Sequence, residues 1–228
     1  MIKKHIPNTL TLGNLTCGCI GIVACTKGDL ATASYMIWIA AIFDFLDGFV
    51  ARLLKVSSPI GKELDSLADM VTFGVLPSFI LYSMIEKSSN NYWPYLAFTL
   101  ALFSALRLAK FNIDTRQANG FIGMPTPAAA FFVSGLVFWP SNTFFVGNTM
   151  WLLTICIGLS LLLVAPFPML ALKFKNYSFK SNIYRYLTVI ISLIFLIALG
   201  TRSFPIIISF YLALSLLAAI KDKSLRLN

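Results

Sequence analysis

The sequence predicts an all-α fold, namely a polytopic membrane helical bundle of about eight transmembrane helices with both termini in the cytoplasm. Of its 228 residues, 58% are hydrophobic and only 12% are charged, about half the charged fraction of an ordinary soluble domain. A mean hydropathy of +0.81 is too apolar for one water-facing core, because a domain of this size still exposes much of its surface. The chain must therefore use lipid as part of its solvent.

Eight apolar stretches follow one another along the chain, separated by short polar segments. A helix needs about 20 apolar residues to cross a bilayer, so eight spans leave no room for a separate soluble domain. We therefore expect residues 1–228 to form a single integral membrane domain. The predicted spans are residues 9–26, 30–54, 63–85, 92–112, 126–138, 150–172, 186–200 and 204–220.

The fifth and sixth spans are the least regular. The fifth reaches spanning length only if it continues past Pro140 as far as Val146, so its outer end stays open. Pro166 and Pro168 lie inside the sixth span, and proline removes a backbone donor. We expect a kink or an unwound turn there, which a membrane tolerates only where neighbours satisfy the freed backbone groups.

The basic residues indicate the orientation of the chain. There are 18 Lys and Arg against 9 Asp and Glu, a net charge of +9. With the N-terminus in the cytoplasm, all of these cations except Lys27, Lys87 and Arg202 fall on the cytoplasmic side, as the positive-inside rule requires. They occur in small groups between apolar stretches, without a zinc-finger or RNA-recognition pattern, so we expect no nucleic-acid partner. The chemistry should face the cytoplasm from the cytoplasmic membrane.

The N-terminus also has features of a lipoprotein signal peptide, with basic residues before an apolar run that ends in Ala24-Cys25. However, the polar residues Asn8, Thr11 and Asn14 interrupt that run. We therefore expect the first helix to remain part of the membrane domain. The four cysteines all lie in apolar segments, where a role as small buried hydrophobic residues is favoured over a disulfide or metal site.

Four of the nine acidic residues are aspartates concentrated in the second and third spans. An acidic residue deep in a span costs about 2.5 to 3.5 kcal/mol and marks an ion or substrate site by default. At about 100° per residue, Asp44 and Asp47 fall on one face of the second helix, while Asp65 and Asp69 form a stripe on the third. The connection between these helices is short, so they should lie antiparallel with the acidic faces able to meet.

Four carboxylates facing one another would repel unless cations lie between them. Oxygen ligands without His or Cys select hard ions such as Mg²⁺, Mn²⁺ or Ca²⁺, so we predict a site for one or two divalent ions near the cytoplasmic surface. Gly48 leaves space for a ligand to approach the backbone, and Arg52 offers a fork suited to phosphate. If the acids merely paired with Arg52, Lys55 and Lys62, neither the facing stripes nor the glycines would be explained.

These residues form the pattern Asp44-x2-Asp47-Gly48-x2-Ala51-Arg52-x8-Gly61-x3-Asp65-x3-Asp69. It resembles the signature of the CDP-alcohol phosphotransferase family, integral membrane enzymes that transfer a phosphatidyl or phospho-alcohol group from a CDP-activated donor to a hydroxyl acceptor and release CMP. By that resemblance, the four aspartates bind Mg²⁺ or Mn²⁺, and Asp69 is also the catalytic base. Gly48, Ala51, Arg52 and Gly61 would line the cytidine diphosphate.

The resemblance further implies a catalytic six-helix core at residues 9–172, two additional C-terminal spans at 186–220, and a homodimer. The chemistry also fits the residues independently of the family. A diphosphate needs divalent cations to make CMP a tolerable leaving group, and a nearby carboxylate can accept the proton of an attacking alcohol. The only histidine is His5, near the N-terminus, so no Ser/His/Asp or Cys/His nucleophile is available. We expect direct in-line displacement without a covalent enzyme intermediate.

The acceptor is indicated by the end of the fourth span. Arg107 and Lys110 are three residues apart, hence on one helical face, at the membrane depth of the carboxylates; interfacial snorkelling is the alternative explanation. This segment is similar to the phosphatidylserine synthases of the family, together with Pro7-Asn8-Thr9-Leu10-Thr11-Leu12-x-Asn14 and Gly123-Met-Pro125-Thr126-Pro127-Ala128. That similarity implies CDP-diacylglycerol and L-serine as substrates. It places Asn8 and Thr11 at the nucleotide, and Arg107, Lys110 and Asn112 at the acceptor.

Two alternatives remain open. Glycerol 3-phosphate or an inositol phosphate is the alternative acceptor, because two cations near the site could hold a phosphate as well as a carboxylate. A divalent-cation transporter with the four aspartates as its site is the alternative from another class. Transport gives no role to Gly48, Arg52 or Gly61, and no matching acids lie on the outer half of the helices.

Overall fold

The computed structural model describes residues 5–56, 58–89, 91–113, 121–170 and 182–221. Most of these residues are helical, as predicted. The helices are α1 (His5–Thr26), α2 (Leu30–Leu53), α3 (Pro59–Asp69), α4 (Leu76–Glu86), α5 (Thr99–Ile113), α6 (Thr126–Leu136), α7 (Thr149–Val164), α8 (Ile183–Leu199) and α9 (Phe204–Lys221). Eight of the cations assigned to the cytoplasmic side lie outside the described residues, namely Lys3, Lys4, Arg116, Lys173, Lys175, Lys180, Lys223 and Arg226.

In the described part of the chain, four helical stretches are long and apolar enough to cross a membrane. They are His5–Thr26, Pro59–Glu86, Trp93–Ile113 and Ile183–Ala219. α6 and α7 are shorter apolar helices, and α2 has 24 residues. The protein is therefore a helical membrane protein by the length and composition of its helices. The number of eight spans and the orientation of the termini stay predictions.

α1 and α2 form a helical hairpin through a tight connection at Gly28 and Asp29. Gly28 has φ +77°, a conformation that favours glycine. The Asp29 side chain caps α2 by accepting a hydrogen bond from the backbone N–H of Thr32 at 2.9 Å, and this bond, with the Thr32 hydroxyl, lowers the pKa of Asp29. The cap fixes the start of α2. The hairpin returns the second half of α2 to the beginning of α1.

The third predicted span begins four residues earlier than expected, at Pro59. Ser58 caps it, because its Oγ accepts a hydrogen bond from the backbone N–H of Gly61 at 3.0 Å, and proline suits the first helical position. The helical run then continues to Glu86, with a π-helical turn at Met70–Val75 between α3 and α4. Single π-helical turns inside α-helices are frequent at functional sites.

The helix of the sixth predicted span ends earlier than expected. α7 stops at Val164, and Pro168–Met169 instead pairs with Phe121–Ile122 as two short antiparallel strands. The unwound turn predicted from Pro166 and Pro168 is confirmed, whereas the helical boundary at residue 172 is wrong, because proline cannot donate the helical hydrogen bond. The fifth span also ends early: α6 stops at Leu136, and residues 139–148 are not helical.

A buried apolar core joins the helices of the first 165 residues. Its fully buried side chains include Ile37, Phe73, Ile80, Leu100 and Val133. α9 packs against α6, and the Phe204 ring lies 4.9 Å from Trp38 and 5.2 Å from Phe131 between centroids. By contrast, α8 exposes a series of large apolar side chains, as a helix that faces lipid would.

Candidate metal centre and substrate cavity

Three of the predicted metal ligands lie together at one end of the bundle. One carboxylate oxygen from each of Asp44, Asp47 and Asp65 lies within 4.8 Å of the other two. α1 packs against both α2 and α3 and so holds the helices that carry these aspartates. Asp47 is only 7% exposed, and the other two are partly buried. Carboxylates that are so close and shielded from water repel one another, so the triad requires a compensating positive charge.

The chemistry of the triad fits a hard divalent cation. Asp65 Oδ1 is buried and has no hydrogen-bond donor among the described residues, which is costly for a charged oxygen. The three ligands offer oxygen atoms only. Such donors are those that Mg²⁺, Mn²⁺ or Ca²⁺ prefer. The triad of Asp44, Asp47 and Asp65 could therefore hold a divalent metal.

Asp69, the fourth predicted ligand, lies beside the triad but outside the group of three. It ends α3, directly before the π-helical turn. Its Oδ1 accepts a hydrogen bond from Asn14 Nδ2 at 3.1 Å. Asp44, Asp65 and Arg107 are all close enough to interact with it electrostatically. Asp69 thus connects the carboxylates to the buried arginine of α5.

A cavity of about 280 Å³ opens beside the triad. Its lining residues come from the start of α1, the end of α2 and the start of α3: Pro7, Asn8, Thr11, Asp47, Gly48, Ala51, Val56, Ser58, Gly61, Lys62 and Asp65. Five of the six residues predicted to bind the nucleotide are among them. The sixth, Arg52, is exposed and does not line the cavity.

Two positions show how the cavity and the triad are connected. A Cβ atom built on Gly48 would meet no described atom within 4 Å, so the backbone there borders open space, as expected for close approach of a ligand. Thr11 Oγ1 lies 2.6 Å from Asp47 Oδ2 and donates a hydrogen bond to it. α1 therefore orients one carboxylate of the triad in addition to lining the cavity.

The three predicted acceptor residues have different environments. Arg107 is only 8% exposed, and its guanidinium carbon lies 5.1 Å from the centroid of the Phe111 ring. Lys110 is exposed, so the two cations differ in their contact with water. Asn112 links α5 to α3 through two hydrogen bonds. Its side-chain Nδ2 donates to Ser66 Oγ at 2.9 Å, and its main-chain carbonyl accepts from Lys62 Nζ at 2.9 Å.

Asn14 belongs to the opening segment that resembles the phosphatidylserine synthases but is not among the predicted site residues, although it contacts Asp69. Asn14 is fully buried within α1. A polar side chain inside a membrane span is itself a signal, because such residues usually pair with other polar groups. The partner, however, lies 55 residues away in the sequence. Only the packing of α1 against α3 identifies it.

Sequence comparison places this arrangement in a known family. The sequence model of the CDP-alcohol phosphatidyltransferase family matches residues 4–165. The chain belongs to this family. The aspartate pattern and the cavity of this CDP-alcohol phosphatidyltransferase lie inside the matched region, whereas α8 and α9 lie beyond it.

Curated relatives of the chain carry one name, CDP-diacylglycerol–serine O-phosphatidyltransferase. The Bacillus subtilis protein is 40% identical over 126 residues, which are 55% of this chain and 71% of that protein. A Helicobacter pylori protein is 37% identical over 63% of this chain and 62% of its own length. The Methanocaldococcus jannaschii protein is 38% identical over 57% of this chain and 59% of its own length. The matches to the last two therefore span less than two thirds of those relatives.

Proposed function

We propose that this protein transfers the phosphatidyl group of CDP-diacylglycerol to the hydroxyl of L-serine, giving phosphatidylserine and CMP. The observation that carries the proposal is the Asp44, Asp47 and Asp65 triad beside a cavity that Gly48, Ala51 and Gly61 of the same family pattern help to line. The choice of substrates is supported by the name that the relatives share. The buried Arg107 next to Asp69 is the group best suited to an acceptor that carries a carboxylate.

We assign Asp44, Asp47, Asp65 and Asp69 as ligands of one or two divalent cations, Mg²⁺ or Mn²⁺. When bound, such a cation neutralises diphosphate charge and makes CMP a better leaving group. Thr11 holds Asp47 in one orientation through its hydrogen bond. Its neighbours in the cavity lining, Asn8, Gly48, Ala51 and Gly61, form the walls for the cytidine diphosphate, and Arg52 contributes charge from outside the lining.

In the proposed reaction, the acceptor oxygen attacks the phosphorus that carries the lipid. Asp69 accepts the proton of the hydroxyl, the new oxygen–phosphorus bond forms, and the bond to the leaving phosphate of CMP breaks. Arg107 binds the serine carboxylate through two hydrogen bonds. Lys110 and Asn112, at the end of α5, complete the acceptor site. Among the described residues that line the cavity, Ser58 is the only serine, and its Oγ caps α3 by accepting a hydrogen bond from the Gly61 N–H. No Cys or His lines the described cavity, so we assign a direct displacement.

Three further assignments belong to the same proposal. The active centre faces the cytoplasm from the cytoplasmic membrane, which the predicted distribution of cations supports. Residues 9–172 form the catalytic six-helix core and residues 186–220 two additional spans, a division supported by the family match ending at residue 165. A homodimer follows from the family resemblance alone.

A competition assay tests the function. Purified protein with CDP-diacylglycerol and Mn²⁺ or Mg²⁺ is offered serine, glycerol 3-phosphate, inositol and inositol phosphate together, and the lipid products are separated. We expect phosphatidylserine as the dominant product, and loss of CMP release in excess EDTA with recovery on adding metal. A phosphate-bearing lipid product would instead establish the alternative acceptor. Full activity of metal-free protein would contradict the assigned role of the aspartates.

Substitution of Arg107 tests the acceptor site. Lysine keeps the charge but cannot form a bidentate fork, so Arg107→Lys should raise the KM for serine about tenfold or more while changing the KM for CDP-diacylglycerol by less than about threefold. The matched control is Lys27→Gln, which removes a cation from the opposite end of the bundle. Equal changes in both KM values would contradict the assignment of Arg107 to serine.

A further inference from the structure

We propose that Asn14 is a positioning residue for Asp69, whose Oδ1 it holds through its side-chain amide. This inference rests on the proposed function, in which Asp69 accepts the proton of the acceptor hydroxyl. A carboxylate at the end of a helical segment can rotate about its side-chain bonds. A hydrogen bond to one oxygen fixes the plane of the carboxylate and leaves the other oxygen, Oδ2, for the reaction. The proposal therefore concerns the geometry of the base.

The hydrogen bonding of Asn14 supports this role. Its Nδ2 donates to Asp69 Oδ1 at 3.1 Å, while its own Oδ1 is buried and has no hydrogen-bond donor among the described residues. Buried polar atoms in native proteins are nearly always paired, and each exception calls for an explanation. A residue that served only packing in this fully buried position would be apolar. Asparagine is explained if the donated bond to Asp69 is needed for function.

The surroundings of Asn14 hold it at a fixed position relative to Asp69. Thr72, in the π-helical turn directly after Asp69, donates from Oγ1 to the backbone carbonyl of Asn14 at 3.1 Å. One turn further along α1, Gly18 lies so close to Thr72 that a Cβ would contact its side chain. α1 therefore contacts the π-helical turn at two places, the main-chain carbonyl of Asn14 and Gly18. The backbone of Asn14 is therefore held against the turn that follows Asp69.

The test uses the full chain in detergent with CDP-diacylglycerol, serine and Mn²⁺. Asn14→Leu removes the N–H donor to Asp69 and keeps a similar side-chain volume. Asn14→Asp replaces the amide with a carboxyl group of the same shape. Asn14→Gln keeps an amide on a longer side chain. Ser34→Ala is the matched control, because Ser34 is also fully buried but donates only to the carbonyl of Leu30 in its own helix. The measurements are kcat, the two KM values, Mn²⁺ affinity by electron paramagnetic resonance, and the thermal unfolding midpoint.

We expect Asn14→Leu to lower kcat about 10- to 100-fold, which is less than the roughly 10²- to 10⁴-fold that a general base contributes, because Asp69 itself remains. The two KM values and the Mn²⁺ affinity should change by less than about threefold, because Asp69 lies outside the Asp44, Asp47 and Asp65 triad and Asn14 is not among the residues that line the cavity. Asn14→Gln should recover part of kcat, and Ser34→Ala should match the wild type. A residue with a merely structural role would not lower kcat while leaving the KM values and the metal affinity nearly unchanged.

An unchanged kcat in Asn14→Leu would overturn the inference. So would a loss of Mn²⁺ binding that parallels the loss of kcat, since Asn14 would then belong to the metal centre. If both Asn14→Leu and Asn14→Asp fail to fold while Ser34→Ala folds, the residue is structural and the inference is wrong. Failure of the proposed function is recognised separately, because the wild type itself would then make no phosphatidylserine. The kcat comparison would in that case be made with whichever acceptor the wild type uses.

Discussion

The hydrogen bond from Thr11 to Asp47 ties the first helix to the carboxylate triad. At 2.6 Å it is short, as expected when a hydroxyl donates to an ionised oxygen. The same hydroxyl lies 3.1 Å from the carbonyl of Pro7, a longer alternative for its single proton. Groups that orient a metal ligand in this way usually change metal affinity when they are removed. Thr11 should therefore affect the cation more than it affects the nucleotide.

Replacing Thr11 by valine keeps the shape of the side chain and removes the donor to Asp47. We expect Thr11→Val to weaken Mn²⁺ binding about 10- to 100-fold, measured by electron paramagnetic resonance titration of purified protein. Thr16→Val is the matched control, because Thr16 lies on the same helix and bonds only to the carbonyl of Leu12. Equal Mn²⁺ affinity in the two variants would show that Thr11 does not orient Asp47.

The π-helical turn between α3 and α4 is the element on which the centre depends most. It begins directly after Asp69, and α1 lies against it without a side chain at Gly18. A Cβ at that position would come 2.5 Å from Thr72 Oγ1 and 3.2 Å from Thr72 Cα. The second of these atoms belongs to the backbone, so rotation of the Thr72 side chain alone could not relieve the contact. The approach of the two helices therefore requires glycine.

An alanine at position 18 should push α1 away from the turn. We expect Gly18→Ala to lower stability by about 1 to 3 kcal/mol, as overpacking of a filled interface does, and to slow CMP release because Asn14 moves with α1. Gly158→Ala is the control, since no described atom lies within 4 Å of a Cβ there and alanine is the better helix former. The thermal unfolding midpoint in detergent is the measurement. Equal midpoints for both variants would contradict the prediction.

At the scale of the whole molecule, the candidate site lies at one end of the helical bundle. The start of α1, the end of α2 and the start of α3 line the cavity, and the end of α5 brings Arg107 to Asp69. Lys27 directly follows α1 and Lys87 directly follows α4, at the ends of these helices that are far from the candidate site. Catalysis at the cytoplasmic face therefore requires Lys87 to lie outside and Glu63, at the other end of the same helical run, to lie inside.

Cysteine labelling tests this orientation. In a variant without the four native cysteines, Lys87→Cys and Glu63→Cys place a thiol at opposite ends of the run Pro59–Glu86; both native side chains are exposed. A membrane-impermeant maleimide should label Lys87→Cys in intact cells, and Glu63→Cys only after permeabilisation. Labelling of both sites after permeabilisation confirms that each thiol reacts. The reverse pattern in intact cells would place the active centre on the outer face.

The helical membrane architecture and the carboxylate cluster follow from the sequence by itself. Apolar length determines which segments leave water, and helical periodicity determines that Asp65 and Asp69 share one stripe of α3. Both are local properties of the chain. The short connection between α2 and α3 restricts how far apart their aspartates can lie, so the meeting of Asp44, Asp47 and Asp65 was also predictable.

Only the tertiary structure decides which side chains meet across helices. The contacts of Thr11 with Asp47 and of Asn14 with Asp69 depend on the register of α1 against α2 and α3, and that register is set by packing between residues far apart in sequence. The burial of Arg107 and the exposure of Lys110 depend in the same way on which face of α5 meets the π-helical turn. No periodicity within one segment encodes that turn, because it is an adjustment to the neighbouring helices. The sequence therefore identifies the chemistry of the centre, and packing determines its geometry.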